Sequence, residues 1–185
     1  MIGNNMLKML MVFIVMTLSG CSQLATIIGQ NAGQTSNEQL SNDQPVLSIY
    51  LVRHAEKLKG QGKNPDLTKA GQKRANSLAM KLADIKLDAV YSTPYKRTMS
   101  TASPTAMKQE VVIISEYIPA KLFAEKLRNE HKHQNVLVVG HSNTIPALIK
   151  ALGYETEVTI TEQQYGDLYI VHVFDNEVKL QQLSF

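Results

Sequence analysis

The chain has 185 residues, with 19 Lys and Arg against 16 Asp and Glu and a formal charge of +3. So weak a balance gives no support for nucleic acid or a polybasic membrane patch as a partner. The single cysteine, Cys21, excludes an intrachain disulfide.

Met1–Gly20 carries one charge, Lys8, ahead of the apolar run Met9–Leu18. A run of about ten residues is too short to cross a hydrocarbon core of roughly 30 Å, but it has the proportions of the apolar centre of a secretory leader. Small residues precede Cys21, and Leu18 lies three positions before it. The segment resembles a bacterial lipoprotein signal. That resemblance implies cleavage before Cys21, acylation of its thiol and amine, and anchoring by lipid at about 0.8 kcal/mol per buried CH₂. Ser22 stands where an aspartate would resemble an inner-membrane retention signal. The expected location is therefore the bacterial cell envelope, with the outer membrane facing the periplasm favoured where there are two membranes. An uncleaved anchor, or a short buried helix with an incidental cysteine, is the plainer reading. Residues 21–44, rich in Ser, Asn, Gln, Gly and Thr, read as the acylated cysteine and a tether with too little apolar surface to offset ordering. One domain is expected over 45–185.

In that domain short apolar runs alternate with helix-patterned segments, which predicts an α/β fold. The expected strands are Val46–Val52, Leu87–Tyr91, Val111–Ile114 and Val136–Val139. The expected helices are Leu67–Ala83, Pro94–Lys108, Pro119–His131 and Thr144–Leu152. Leu78 and Leu82 mark the buried stripe of the first helix, and Asp66 or Thr68 can cap its start. Pro104 threatens to interrupt the second. Pro146 falls in the first turn of the last, where a missing N–H matters little, and Gly153 falls at its end. Asp167–Phe174 and Glu177–Leu183 alternate apolar and polar residues around Asp175-Asn176, predicting a hairpin that adds an antiparallel edge to a mostly parallel sheet.

Two strand ends carry the chemistry. The first strand runs into Arg53-His54-Ala55-Glu56 and the fourth into Gly140-His141-Ser142-Asn143. Residues just past the C-terminal ends of parallel strands line the ligand crevice of such sheets. A neutral histidine is a competent nucleophile toward phosphorus, and the transferring group needs cationic donors around its oxygens. Arg53 can supply one planar fork. Arg97, in Ser92-Thr93-Pro94-Tyr95-Lys96-Arg97, is placed to supply another from an early helical turn whose free N–H groups favour an anion. The plainer readings are a surface salt bridge of Arg53 and His54 with Glu56 and a structural role for His141. Zinc on His54, Glu56 and His141 is disfavoured by the adjacent arginine. His131 and His133 read as a solvated helix face, and no phosphate-binding glycine loop for a nucleotide cofactor is present.

Four segments in order resemble the histidine phosphatase superfamily, in its phosphoglycerate mutase-like branch. They are Arg53-His54-Ala55-Glu56, Asp66-Leu67-Thr68 with Gly71 and Arg74-Ala75, Ser92 to Thr98, and Gly140-His141-Ser142-Asn143. The resemblance implies a three-layer fold with helices on both faces of the sheet. It implies transient phosphorylation of His54, a phosphate pocket of Arg53, Arg97 and His141, and metal-independent hydrolysis without a cofactor. Ala55 stands where the family usually has glycine, placing a methyl close to the expected pocket.

Glu116, after the third strand, is the candidate proton donor to the leaving oxygen, with a solvated role as its plainer reading. Glu56 is a second candidate for that donor, though the preferred reading has it support Arg53 or His54 from behind. Only eighteen residues separate Arg97 from Glu116, so no large cap is expected. A shallow pocket fits hydrolysis of a phosphomonoester or phosphohistidine better than mutase action. The substrate is expected to be a phosphorylated small molecule, glycan or protein. The alternatives from other classes are a catalytically inactive envelope lipoprotein that binds phosphorylated ligands, and a general scaffold.

Overall fold

The computed structural model describes residues 44–185. The leader, Cys21 and nearly all of the tether lie outside the described residues. Ten elements follow one another: β1 (Leu47–Arg53), α1 (Lys69–Lys81), β2 (Ala89–Ser92), α2 (Lys96–Lys108), β3 (Ile113–Ser115), α3 (Ala120–Glu130), β4 (Asn135–Gly140), α4 (Thr144–Ala151), β5 (Asp167–Val173) and β6 (Val178–Ser184). They build a six-stranded sheet of order β3-β2-β4-β1-β5-β6. The first four strands in that order run parallel, β5 is antiparallel to β1, and β6 is antiparallel to β5. The α/β class, the mostly parallel sheet and the C-terminal antiparallel hairpin are therefore as the patterning indicates.

Strand alternation divides the interior in two. Leu47, Ile49 and Leu51 of β1 face α3 and α4, packing with Leu127, Ile145 and Leu148. Tyr50 and Val52 face α1 and α2, packing with Leu78, Leu82 and Ala102. Helices thus cover both faces, giving three layers. Every residue of β1 is buried, as befits a strand flanked by β4 and β5 and covered on both faces. Truncating one fully buried leucine there, as in Leu51→Ala, costs about 2–5 kcal/mol.

Some local expectations are corrected. α2 continues through Pro104 without a break. Proline removes one backbone donor, but Thr101, Ala102, Thr105 and Ala106 around it are all buried, and that packing outweighs the lost bond. Thr68, not Asp66, caps α1, its Oγ1 accepting from Gly71 N at 3.0 Å. Gly71 is required by contact, because a Cβ there would run into the Glu56 carbonyl. β3 begins two residues later than expected and is only three residues long. No described helix is long and apolar enough to cross a membrane.

Candidate functional site

Register, not sequence proximity, brings the two histidines together. β1 and β4 pair in parallel with Arg53 opposite Gly140, so His54 and His141 are each one residue past that pair. His54 N donates to Gly140 O at 2.9 Å, and the two rings stand edge to face with centroids 5.5 Å apart. His141 N donates to Thr144 Oγ1 at 2.8 Å, tying it to the start of α4.

Their hydrogen bonds fix the tautomers. Nδ1 of His54 donates to the Ala55 carbonyl at 2.8 Å, leaving the lone pair on Nε2. For His141, the Arg97 guanidinium can only donate, and it approaches Nδ1 at 3.5 Å. The opposite nitrogen, Nε2, then donates to Thr93 Oγ1 at 2.9 Å. Thr93 passes its own hydroxyl to Thr98 Oγ1 at 3.0 Å, and Thr98 donates to the Thr93 carbonyl at 2.7 Å. Burial, only partly opposed by the Ala55 carbonyl and reinforced by Arg53, Arg97 and His141, pushes His54 down to about 4. Burial, then Arg97, Arg53 and Lys57, brings His141 to about 4 as well. Both rings are neutral near pH 7.

Arg53 is 4% exposed and is engaged differently from an open fork. Its Nη1 donates to the carbonyls of Thr161 and Gln164 at 2.8 and 2.9 Å, and Nη2 reaches Glu162 Oε2 at 3.0 Å. The Tyr165 ring lies 4.4 Å from its guanidinium carbon. Arg97 donates to Lys63 O at 3.3 Å and stacks on Tyr95 at 4.4 Å. The Nε atoms of both arginines are buried without a partner. Two such donors flanking two histidines leave a demand for an acceptor that an anion can meet. At the start of α2, Lys96 N already donates to Asn64 Oδ1 at 2.8 Å, so that amide is not free for a ligand.

The other expected residues fall as follows. Glu56 does not pair with Arg53. It holds Arg74, with Nη2 to Oε1 at 2.6 Å and Nε to both oxygens at 2.9 Å, and that contact keeps its carboxyl below its usual range. Ala55 turns its methyl into a small cluster with Leu67 and Ala75, while its N–H reaches Thr101 Oγ1 at 3.0 Å. His131 is no free face: it bonds the Tyr91 hydroxyl at 2.8 Å and Gln134 Oε1 at 2.7 Å. Glu116 lies past β3, where its N–H donates to Ser92 O at 3.0 Å. Its residue lines the rim of a cavity beside the histidines, shared with Ser92, Thr93, Gly140 and Asn143. Among the described residues, no three His, Cys, Asp or Glu side chains converge as a metal site.

Thr93, Glu162 and Tyr165 received no role from the sequence. Thr93 stood inside a recognised segment, so its place beside the second histidine was open to inspection. Glu162 and Tyr165 lie in residues 152–166 between α4 and β5, which carry no periodicity. Only the return of the chain into antiparallel β5 brings them to Arg53. Glu162 also accepts from Ser142 Oγ at 2.5 Å, and this bond first, then Arg53 and Lys57, keeps its carboxyl below the usual range despite some burial.

Residues 49–117 match the family model of the histidine phosphatase superfamily, branch 1. Phosphoserine phosphatase 1 of Hydrogenobacter thermophilus is 39% identical over 77 residues, which span 38% of this chain and 36% of the relative. The matched stretch is thus little over a third of that relative's length. Among solved structures, the protein histidine phosphatase SixA complexed with tungstate superposes with a TM-score of 0.63 at 19% identity, over 74% of this chain and 96% of its own. The alpha-ribazole phosphatase of Shigella flexneri gives 0.60 at 16%, over 75% and 96%. The phosphoserine phosphatase of Entamoeba histolytica, in complex with 3-phosphoglyceric acid, gives 0.56 at 20%, over 75% and 97%. The family match supports the histidine phosphatase superfamily, and the superpositions establish the phosphoglycerate mutase-like fold.

Proposed function

We propose that this chain is a histidine phosphatase that hydrolyses a phosphomonoester or phosphohistidine through a phosphorylated His54. The observation that carries the reading is the pair of neutral histidines beside two guanidinium groups, each with a buried, unpartnered Nε. His54 Nε2 attacks phosphorus as the bond from phosphorus to the leaving atom breaks. Glu116 gives the leaving oxygen its proton. Water then attacks the phosphohistidine and returns a proton to Glu116. The P–N bond breaks with its electron pair going back to Nε2, and inorganic phosphate departs. The two arginines bear on the oxygens of the transferring group, where charge is spread, and His141 joins them once its Nε2–H turns from Thr93 to a phosphoryl oxygen. No metal or cofactor is assigned a step.

The family match and the phosphatases it resembles support this class. Their substrates range from a phosphoserine to a protein phosphohistidine by name. For this chain, the substrate remains a phosphorylated small molecule, glycan or protein. The second reading, an inactive phosphate-binding lipoprotein, draws on one observation: Glu162 already occupies Arg53. Anchoring through Cys21 in the cell envelope, with residues 21–44 as tether and 45–185 as the working domain, belongs to the same proposal and rests on sequence. Loss of labelled palmitate and of membrane association in Cys21→Ser tests it.

For activity, the full chain is assayed for phosphate release from an aryl phosphate, with and without chelator, beside His54→Ala. Chelator-resistant release, lost in the variant together with an acid-labile phosphoenzyme, is the expected result. Binding of inorganic phosphate with no turnover across a broad substrate panel points to the inactive domain instead.

A further inference from the structure

Of the residues lining the cavity beside the histidines, only Glu116 and Thr93 have been given a part in phosphoryl transfer. The cavity's volume is about 160 Å³, close to the roughly 150 Å³ of an apolar cavity that takes up benzene. Its floor lies between α3, α4 and the sheet, where Tyr91 and Phe123 meet edge to face with centroids 5.1 Å apart. Val138, Ile145 and Leu148 close the walls. Its rim is formed by exposed Glu116, Tyr117 and Asn143, all past the C-terminal ends of strands. The histidines sit on that same edge. The joint between the two is Thr93, which lines the cavity and holds His141 Nε2 at 2.9 Å.

We infer that this cavity receives the leaving group of the substrate, and that the preferred leaving group carries one uncharged six-membered ring, aromatic for best fit, on a short arm from the phosphoryl group. The inference rests on the phosphoryl-transfer reading. The physical argument is one of size and polarity. A ring of that volume fills the space, and aromatic walls favour edge-to-face contact with it. An anionic leaving group would find no cation among the cavity's lining residues. Around the histidines the Tyr165 and Tyr95 rings are already stacked on the two arginines, so apolar recognition has this cavity to draw on.

Benzyl phosphate and ethyl phosphate release alcohols of similar acidity, so a difference between them reports recognition and not leaving-group chemistry. The native protein is expected to show kcat/KM at least about tenfold higher for benzyl phosphate. Ala120→Leu on α3 and Ala147→Leu on α4, both lining the cavity, narrow it from helix positions that tolerate leucine. Each is expected to remove most of that preference while leaving ethyl phosphate turnover and inhibition by inorganic phosphate unchanged. Equal kcat/KM for the two esters in the native protein, or equal losses for both in the folded variants, overturns the inference. Should neither ester be hydrolysed, millimolar benzyl alcohol is titrated against methyl resonances of Ile145 and Leu148. Shifts present in the native protein and lost in Ala147→Leu uphold the ring site even where the phosphatase reading has failed, and no shifts overturn it.

Discussion

Glu162 Oε2 lies 3.0 Å from Arg53 Nη2, on the guanidinium that a phosphoryl oxygen would use. The same carboxylate is held on its other oxygen by Ser142. An internal anion therefore competes with an external one. Glu162→Gln keeps a hydrogen-bonding side chain but removes the charge, and inorganic phosphate is expected to bind about fivefold more tightly by isothermal titration. Weaker binding would show instead that the carboxylate orients Arg53 for its ligand.

Glu116 as proton donor predicts a dependence on the leaving group. An alkyl phosphate leaves as a strongly basic alkoxide and needs the proton, whereas 4-nitrophenyl phosphate does not. Glu116→Gln is expected to slow ethyl phosphate hydrolysis by about 10²-fold and to leave 4-nitrophenyl phosphate nearly unaffected. Equal rates for both substrates in native and variant protein would remove Glu116 from the reaction.

The histidines make folding sensitive to acid. Both are depressed to about 4 in the folded chain, against about 6.5 in an unfolded one. Between those values the unfolded state binds more protons, so their contribution is complete above the unfolded value and is lost as pH falls toward 4. Thermal unfolding followed from pH 7.5 to 4.5 is expected to show a falling midpoint. The fall should be shallower in His54→Ala, which lacks one of the two groups.

The Glu56–Arg74 pair predicts a stability effect without direct loss of chemistry. Both side chains are less than one third exposed, and Glu56 O also accepts from Thr68 N at 2.8 Å at the head of α1. Arg74→Ala leaves a half-buried carboxylate without its fork, so a loss of about 1–2 kcal/mol is expected in urea unfolding. Inorganic phosphate affinity should be preserved, since Arg74 does not reach either histidine. A loss of affinity without a loss of stability would place the pair inside the site.

Much of this was readable from the chain because the decisive residues terminate strongly patterned strands. A largely apolar β1 ending in Arg53-His54 and a β4 ending in Gly140-His141 could be located by local rules alone, and parallel pairing did the rest. Local rules failed at Pro104, where burial of neighbouring threonines and alanines overrode proline's preference. They also failed at Glu162 and Tyr165. Those residues sit more than a hundred positions from Arg53 in a segment with no repeat, and only tertiary closure brings them to it. Glu116 was found by its position after a strand, while the cavity it borders needed α3, α4 and the sheet to be assembled before it could be seen.

The placement of β1 also sets an order of events. It is the first strand among the described residues, yet its two neighbours are β4 and β5, which are synthesised only after β2, β3 and the helices between them. Non-local pairings of this kind form slowly, because a long loop must close before any contact compensates for it. Arg53 and His54 are therefore made early and completed late. A chain interrupted just after α4 would carry both histidines without the loop that encloses Arg53, and one interrupted before β5 would carry that loop without the strand that brings it back. Phosphate binding should thus appear in a nascent chain only after its closing hairpin has emerged.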